Sequence, residues 1–83
     1  MSTLYNNEMQ DSEYLKRIGT KLRILRSLKN YSQDYIANKL GIDKSYYSKV
    51  ERGITNPTLL YIKHLAEVFD VSVSDLVDAK INF

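Results

Sequence analysis

Hydrophobic residues recur every three or four positions through most of the chain, the spacing that is typical of amphipathic helices. The first run predicts a helix over residues 13–29. Asp11 or Ser12 is expected to cap its start. Asn30 is expected to end it, because asparagine tolerates the left-handed conformation that follows many helices. The predicted inward positions are Leu15, Ile18, Leu22 and Leu25.

Two shorter helices are predicted next, and a glycine closes each of them. Ser32 is the expected N-cap of a helix that ends at Gly41, and Asp43 that of a helix running to about Arg52 before Gly53. Gly41 supplies the positive φ that a tight turn between two steeply crossing helices needs. The predicted inward positions are Ile36, Ala37, Leu40, Tyr47 and Val50.

A fourth and a fifth helix complete the prediction. Pro57 suits the first turn of a helix from about Thr58 to Phe69. Residues 71–73 alternate like a strand, but Ser74 as a cap before residues 75–78 favours a short fifth helix. The fold class is therefore all-α, with five short helices. The inward positions predicted for the fourth helix are Leu59, Ile62, Leu65, Ala66 and Phe69.

With 83 residues the chain has room for one domain. We expect a flexible polar arm over residues 1–12, a helical domain over 13–78 and a tail over 79–83. The absence of cysteine and the single histidine exclude disulfides, a cysteine nucleophile and a zinc site of the usual Cys/His kind. No apolar run approaches the ~20 residues of a membrane span, so we expect a cytoplasmic protein without a membrane partner. No metal, cofactor or catalytic constellation is predicted.

The net charge of +2 conceals a strongly basic middle. Residues 14–53 carry ten lysines and arginines against three acidic residues, a net charge of +7. The flanking segments carry −3 over residues 1–13 and −2 over residues 54–83. Such asymmetry indicates a polyanionic partner, although a solvated charged face is the alternative on charge alone.

The basic segment also holds a recognisable motif, QDYIANKLGIDKSYYSKVER, over residues 33–52. It resembles the helix-turn-helix of the phage repressor and Cro-like family, also called the XRE family. The resemblance covers residues 14–78 and implies a lambda-repressor-like domain with its second and third helices as the helix-turn-helix. Tyr47 departs from the pattern, because the family usually has isoleucine or valine there. The matching residues are Ser32, Gln33, Ile36, Ala37, Gly41, Ile42, Asp43, Ser48, Glu51, Arg52 and Gly53.

The resemblance implies roles for individual residues when the third helix enters the DNA major groove. Arg26 and Glu51 match a structural ion pair that joins the first helix to the third. Tyr46 is expected to face solvent, where it either touches DNA or is merely exposed. The residues at base-contacting positions are Lys44, Ser45, Tyr46 and Lys49. The residues at phosphate-contacting positions are Gln33, Arg52, Thr55 and Asn56.

Proteins of this family usually bind as two-fold dimers, and the acidic, apolar C-terminal part is the candidate interface. Leu60 and Tyr61 are expected to extend it. The alternative is that the tail folds back on its own core. The predicted dimer residues are Leu76, Val77, Ile81 and Phe83.

The expected function is a dimeric transcriptional regulator that binds a palindromic operator in double-stranded DNA. The resemblance suggests an autoregulatory protein of the phage, plasmid or restriction-modification controller type, with RNA polymerase as a further partner and no small-molecule ligand. Two alternatives stay open at this point: an antitoxin of a toxin–antitoxin pair, and a protein-interaction adaptor that does not bind DNA. No enzymatic activity is expected.

Overall fold

The structure, a computed structural model, describes residues 10–78 and contains five helices and no strand within that range. The all-α prediction is therefore confirmed. The first nine and last five residues lie outside the described part, so the predicted division into arm, domain and tail stays a prediction. The helices are α1 (Asp11–Lys29), α2 (Gln33–Leu40), α3 (Lys44–Arg52), α4 (Leu59–Phe69) and α5 (Val73–Val77).

Local signals end the first three helices where the sequence predicted. Asn30, Gly41 and Gly53 adopt left-handed conformations, with φ of 62°, 65° and 72°. Ser32 is the N-cap of α2, and its hydroxyl oxygen accepts a hydrogen bond from the Tyr35 amide at 3.0 Å. Asp43 occupies the N-cap position of α3, although its side chain accepts no capping hydrogen bond.

Three predictions about helix starts are wrong. Asp11 and Ser12 do not cap α1 but lie inside it, because Gln10 holds the N-cap position. Pro57 is not in the first turn of α4: Thr58 is the N-cap, and its hydroxyl accepts the Tyr61 amide at 3.1 Å.

The third wrong start is that of α5, because Ser72 rather than Ser74 is its N-cap. The Ser72 hydroxyl accepts the Asp75 amide at 3.0 Å, which brings Val73 into the helix. Two serines two residues apart offer the same capping chemistry, so the local pattern does not distinguish them.

All five helices contribute to one hydrophobic core. Most predicted inward positions are buried, whereas Leu15 and Leu40 are only half-buried. Leu59 is a clear exception with 76% of its surface exposed, because it is the first residue of α4 and lies at the edge of the core. The buried hydrophobic residues are Ile18, Leu22, Leu25, Ile36, Ala37, Tyr47, Val50, Ile62, Leu65, Ala66, Phe69 and Leu76.

A glycine allows α1 to pack closely against α3. A Cβ atom at Gly19 would lie 2.1 Å from the Glu51 carbonyl oxygen, inside van der Waals contact. At Gly53, just after α3, a Cβ would lie 2.5 Å from the Lys16 Cα. Both glycines therefore place the end of α3 against the α1 backbone, and no sequence signal had singled out Gly19.

Two side chains of α1 hold the end of α5. The Tyr14 hydroxyl donates to the Val77 carbonyl oxygen, and the Lys21 ammonium donates to the carbonyl oxygens of Asp75 and Asp78. Leu76 is fully buried beneath them. Its predicted role as a dimer contact is wrong, because the protomer's own core takes up its side chain. None of the described helices is both long and apolar enough to cross a membrane.

Candidate nucleic-acid interface

The turn between α2 and α3 is built from one glycine and a backbone hydrogen bond. Gly41 has a φ of 65°, and the Ile42 amide donates to the Ala37 carbonyl at 3.0 Å. Nothing lies within 4 Å of a Cβ built on Gly41, so the positive φ alone calls for glycine there. Ala37 is buried on the inner side of α2. The turn thus joins two short helices as in a helix-turn-helix.

Helix α3 has one buried and one exposed face. Tyr47, Val50 and Glu51 point into the protein. Three of the four predicted base-contacting side chains lie on the exposed side, together with Arg52. This face offers two ammonium groups, a hydroxyl and a guanidinium, all of which can hydrogen-bond to base edges or phosphates. The exposed predicted base-contacting residues are Lys44, Ser45 and Lys49.

Lys44 has an acidic neighbour that sequence reasoning missed. Its ammonium lies 3.7 Å from the Asp34 carboxylate of α2, and both side chains are more than half exposed. An exposed pair of this kind contributes about 0–1 kcal/mol, so exchanging the carboxylate for a phosphate or a base costs little. The pair still reduces the positive charge that α3 presents.

Tyr46 differs from its prediction, because it is half-buried rather than fully solvent-facing. Its ring meets the ring of Tyr61 edge-on, with 5.2 Å between the centroids and 78° between the planes. The contact joins α3 to α4. Tyr46 therefore has a packing role that neither alternative at the sequence level included.

The predicted ion pair between Arg26 and Glu51 is confirmed, and it is buried on the Glu51 side. Arg26 Nε and Nη2 donate to the two carboxylate oxygens at 2.5 and 3.1 Å. Arg26 Nη1 also donates to the Tyr31 carbonyl oxygen at 3.0 Å. Gln33 Nε2 donates to Glu51 Oε1 at 3.1 Å, a contact that the sequence had not indicated. One carboxylate thus links α1, α2 and α3.

Opposing effects act on the pKa of Glu51. Burial raises it, but the hydrogen bonds from Arg26 and Gln33 and the positive charge of Arg26 outweigh burial, so the pKa is lowered from 4.5. The same hydrogen bond to Glu51 raises the pKa of Arg26 despite its burial. Both groups are therefore charged at neutral pH.

The Tyr47 hydroxyl lies beside this pair and has no hydrogen-bond partner of good geometry among the described residues. Burial and the neighbouring Glu51 carboxylate raise the pKa of Tyr47. The Tyr61 hydroxyl is similarly buried and unpartnered within the described part of the chain.

The predicted phosphate-contacting residues lie at the start of α2, at the end of α3 and in the loop that follows. Gln33 and Thr55 are half-buried, whereas Arg52 and Asn56 are exposed. Arg52 Nε donates to the Ser48 carbonyl at 3.4 Å. Their contact with phosphate stays a prediction.

Within residues 10–78, no three His, Cys, Asp or Glu side chains come together in a way that suits a metal ion. His64 is an exposed residue of α4.

Sequence comparison finds relatives that match most of the chain. A model of the helix-turn-helix family matches residues 22–76. The chain is 41% identical over 64 residues to the HTH-type transcriptional regulator SinR of Bacillus subtilis, a match that covers 76% of this chain and 58% of SinR. The chain spans about half the length of the curated relatives it matches.

Solved structures of related proteins resemble this one, and two of them are 40% identical to it. The restriction-modification controller protein C.AhdI from Aeromonas hydrophila is 40% identical with a TM-score of 0.71, over 75% of this chain and 94% of that one. SinR, the master regulator for biofilm formation, in complex with DNA is 40% identical with a TM-score of 0.68, over 74% and 98%. The lambda-repressor-like arrangement of helices expected from the sequence is therefore present.

Proposed function

Because this chain belongs to the helix-turn-helix family, we propose that it is a DNA-binding transcriptional regulator whose helix α3 enters the major groove. The observation that carries the proposal is the exposed face of α3, which presents Lys44, Ser45 and Lys49 together at the family's motif. A structure of the related SinR was determined in complex with DNA.

We propose base contacts for Lys44, Ser45 and Lys49. Lysine can donate to guanine O6 and N7 and serine can pair with several bases, so we expect a half-site that contains guanine. We also propose a base contact for Tyr46 at the edge of this face, where its packing against Tyr61 limits the part of the ring that can reach DNA.

Phosphate contacts are proposed for residues at the start of α2, at the end of α3 and in the loop that follows it. Gln33 lies at the start of α2, where free backbone amides and the helix dipole favour an anion. Arg52 closes α3, and Thr55 and Asn56 follow in the loop. The net charge of +7 over residues 14–53 supports binding to a polyanion.

A homodimer on a palindromic operator is proposed, with half-sites about one helical turn (~34 Å) apart. Leu76 is withdrawn from its interface, whereas Ile81 and Phe83 lie outside the described residues. Val77 remains a proposed interface residue, because it lines an open apolar groove of about 250 Å³ together with Pro57 and Leu59. Leu59 and Leu60 are 76% and 60% exposed, which supports contact with a second copy.

The proposed mode of action is occupancy of an operator, with autoregulation as in controller proteins and with RNA polymerase as a further partner. We propose no enzymatic activity and a cytoplasmic location. No observation favours an antitoxin, and the exposed lysines on α3 argue against an adaptor that does not bind DNA.

Selection of bound fragments from random DNA tests sequence-specific recognition. We expect a palindrome whose spacing reports the two-fold symmetry. On the selected site, Lys49→Ala is expected to weaken binding by about 1–3 kcal/mol and to relax discrimination at one base pair. Gln33→Ala should weaken selected and random duplexes alike. Equal losses for Lys49→Ala on both duplexes would contradict its base-reading role.

A salt titration separates a DNA-binding regulator from an adaptor. Affinity for duplex DNA should fall steeply with salt, with a logarithmic slope near −0.9 for each phosphate that a cation neutralises. Arg52→Ala should make this slope shallower by about 0.9, the value for one neutralised phosphate. Gln33→Ala should leave the slope unchanged, because glutamine carries no charge. A flat response of the unmodified protein would contradict DNA binding.

Sedimentation of variants tests the dimer. Leu60→Asp is expected to dissociate it, whereas Leu28→Asp, a matched change at a 70% exposed leucine of α1, should leave it intact. Truncation after Asp78 tests the contribution of the tail. A dimer that survives both Leu60→Asp and the truncation would place the interface elsewhere.

A further inference from the structure

We propose that Glu51 is a positioning residue for DNA binding, which holds the Gln33 side chain in place for its phosphate contact. The proposal rests on the proposed function of the chain. It assigns to the buried carboxylate a role beyond the ion pair with Arg26: aligning the phosphate contact at the start of α2 with the base-reading face of α3.

The geometry around Glu51 carries the argument. Its side chain is 3% exposed, and its two oxygens accept three N–H groups. Arg26 occupies one oxygen and shares the other, Oε1, with Gln33 Nε2, each at 3.1 Å. Arg26 accordingly neutralises the carboxylate and orients it, while Gln33 takes up the acceptor capacity that Arg26 leaves.

Gln33 keeps a donor for DNA after making this bond. A glutamine amide nitrogen carries two hydrogens, and Glu51 accepts only one of them. The other hydrogen can be donated to a phosphate oxygen without breaking the bond to Glu51. A side chain that is already held loses less conformational freedom on binding, so this preorganisation strengthens the phosphate contact.

The network also connects the start of α2 to α3. Arg26 Nη1 donates to the Tyr31 carbonyl oxygen, two residues before Gln33, so that both the backbone and the side chain at the α2 start are held. Glu51 belongs to the same helix as Lys44 and Lys49. A displacement of α3 therefore moves the anchor of Gln33 with it.

The experiment measures whether Glu51 acts through Gln33. Variants Gln33→Ala, Glu51→Gln and the double substitution are titrated with a fluorescent random-sequence duplex at low salt, because a phosphate contact does not require a specific site. Glutamine at position 51 offers one acceptor oxygen in place of two and cannot accept all three N–H groups. Each single variant should lose affinity about tenfold, and the double variant also about tenfold.

Additive losses, about a hundredfold in the double variant, would overturn the proposal. So would a Glu51→Gln protein that is folded and binds like the unmodified one. Glu67→Gln is the matched control, because Glu67 is an exposed carboxylate on α4 that pairs with Lys63 of the same helix, and it should leave the affinity unchanged. Thermal unfolding of each variant establishes that the titrated protein is folded.

Hydrogen exchange of the Gln33 side-chain amide is a second test, and it uses the unmodified protein alone. One side-chain amide proton of Gln33 should exchange with solvent much more slowly than those of the exposed Asn38 in the same helix. Rapid exchange of both Gln33 protons would overturn the proposal. An unmodified protein that does not bind duplex DNA, but whose Gln33 amide is protected, would contradict the proposed function and leave the Glu51 anchor in place.

Discussion

At the scale of single residues, Gly19 determines how closely α1 approaches α3. Its place in the middle of a helix is otherwise unfavourable, since glycine costs about 1 kcal/mol relative to alanine in a helix interior. The 2.1 Å between a Cβ at this position and the Glu51 carbonyl oxygen explains why glycine is present. A larger side chain at this position would force α1 and α3 apart.

Gly19→Ala is therefore expected to destabilise the fold by about 1–3 kcal/mol, despite the higher helix propensity of alanine. Urea unfolding followed by circular dichroism measures the change. Ser27→Ala, at an exposed position of the same helix, is the control and should be neutral or slightly stabilising. Equal stability of the Gly19→Ala and unmodified proteins would mean that the helices separate at little cost.

Tyr47 places a hydroxyl in the core, at a position where the family that the sequence resembles usually has isoleucine or valine. A buried hydroxyl without a hydrogen bond costs free energy that a phenyl ring does not. Tyr47→Phe is accordingly expected to raise the free energy of unfolding by about 1 kcal/mol at neutral pH, again measured with urea. Tyr35→Phe, at an exposed tyrosine, should change little. A loss of stability in Tyr47→Phe would show that the hydroxyl makes a favourable bond.

The raised pKa of Tyr47 also predicts how the free energy of unfolding changes at alkaline pH. Its pKa in the folded protein is raised, chiefly by burial, so the unfolded chain releases the proton first. The free energy of unfolding therefore does not depend on the titration of Tyr47 well below the ordinary pKa of 10.0, and it declines as the pH rises above that value. Tyr47→Phe should reduce the decline above about pH 10, although Tyr61, whose pKa burial also raises, retains part of it.

At the scale of helices, the capping of α5 distinguishes two serines that lie two residues apart. Ser72→Ala is expected to destabilise the protein by about 1 kcal/mol, because the Asp75 amide loses its acceptor. Ser74→Ala should cost less, since its hydroxyl contacts only the Ser72 hydroxyl at 3.0 Å. Thermal unfolding of the two variants under identical conditions makes the comparison. A larger loss for Ser74→Ala than for Ser72→Ala would indicate that Ser74 is the N-cap, as the sequence predicted.

Helix ends were predictable where one residue had an unambiguous conformational reason to be there. Gly41, Gly53 and Asn30 adopt the left-handed conformation that their residue types allow, and this depends on the local backbone alone. The starts of α1 and α4 were not predictable to the residue, because several neighbouring polar side chains satisfy the same rule. Periodicity likewise misplaced Leu59, because it does not indicate where a helix passes the edge of the core.

At the scale of the whole molecule, the Glu51 carboxylate makes stability depend on pH. Because its pKa is lowered in the folded state, the unfolded chain takes up a proton first as the pH falls. The stabilisation is present above the ordinary pKa of 4.5 and is lost progressively as the pH falls through the folded value.

Unfolding free energies between pH 7 and pH 3 should therefore fall more steeply for the unmodified protein than for Glu51→Gln. Glu67→Gln should follow the unmodified protein, since Glu67 is exposed. Parallel curves for Glu51→Gln and the unmodified protein would show that Glu51 is not responsible for the acid loss.

The sequence by itself determined the helices, the helix-turn-helix and the residues on the outer face of α3. Those features depend on helical periodicity and on residues that end helices locally, both of which are readable within a few positions. Only the tertiary structure decided that Leu76 is core, that Asp34 neighbours Lys44 and that Glu51 holds Gln33. These contacts depend on where helices cross and how closely they pack, and a local pattern does not specify either.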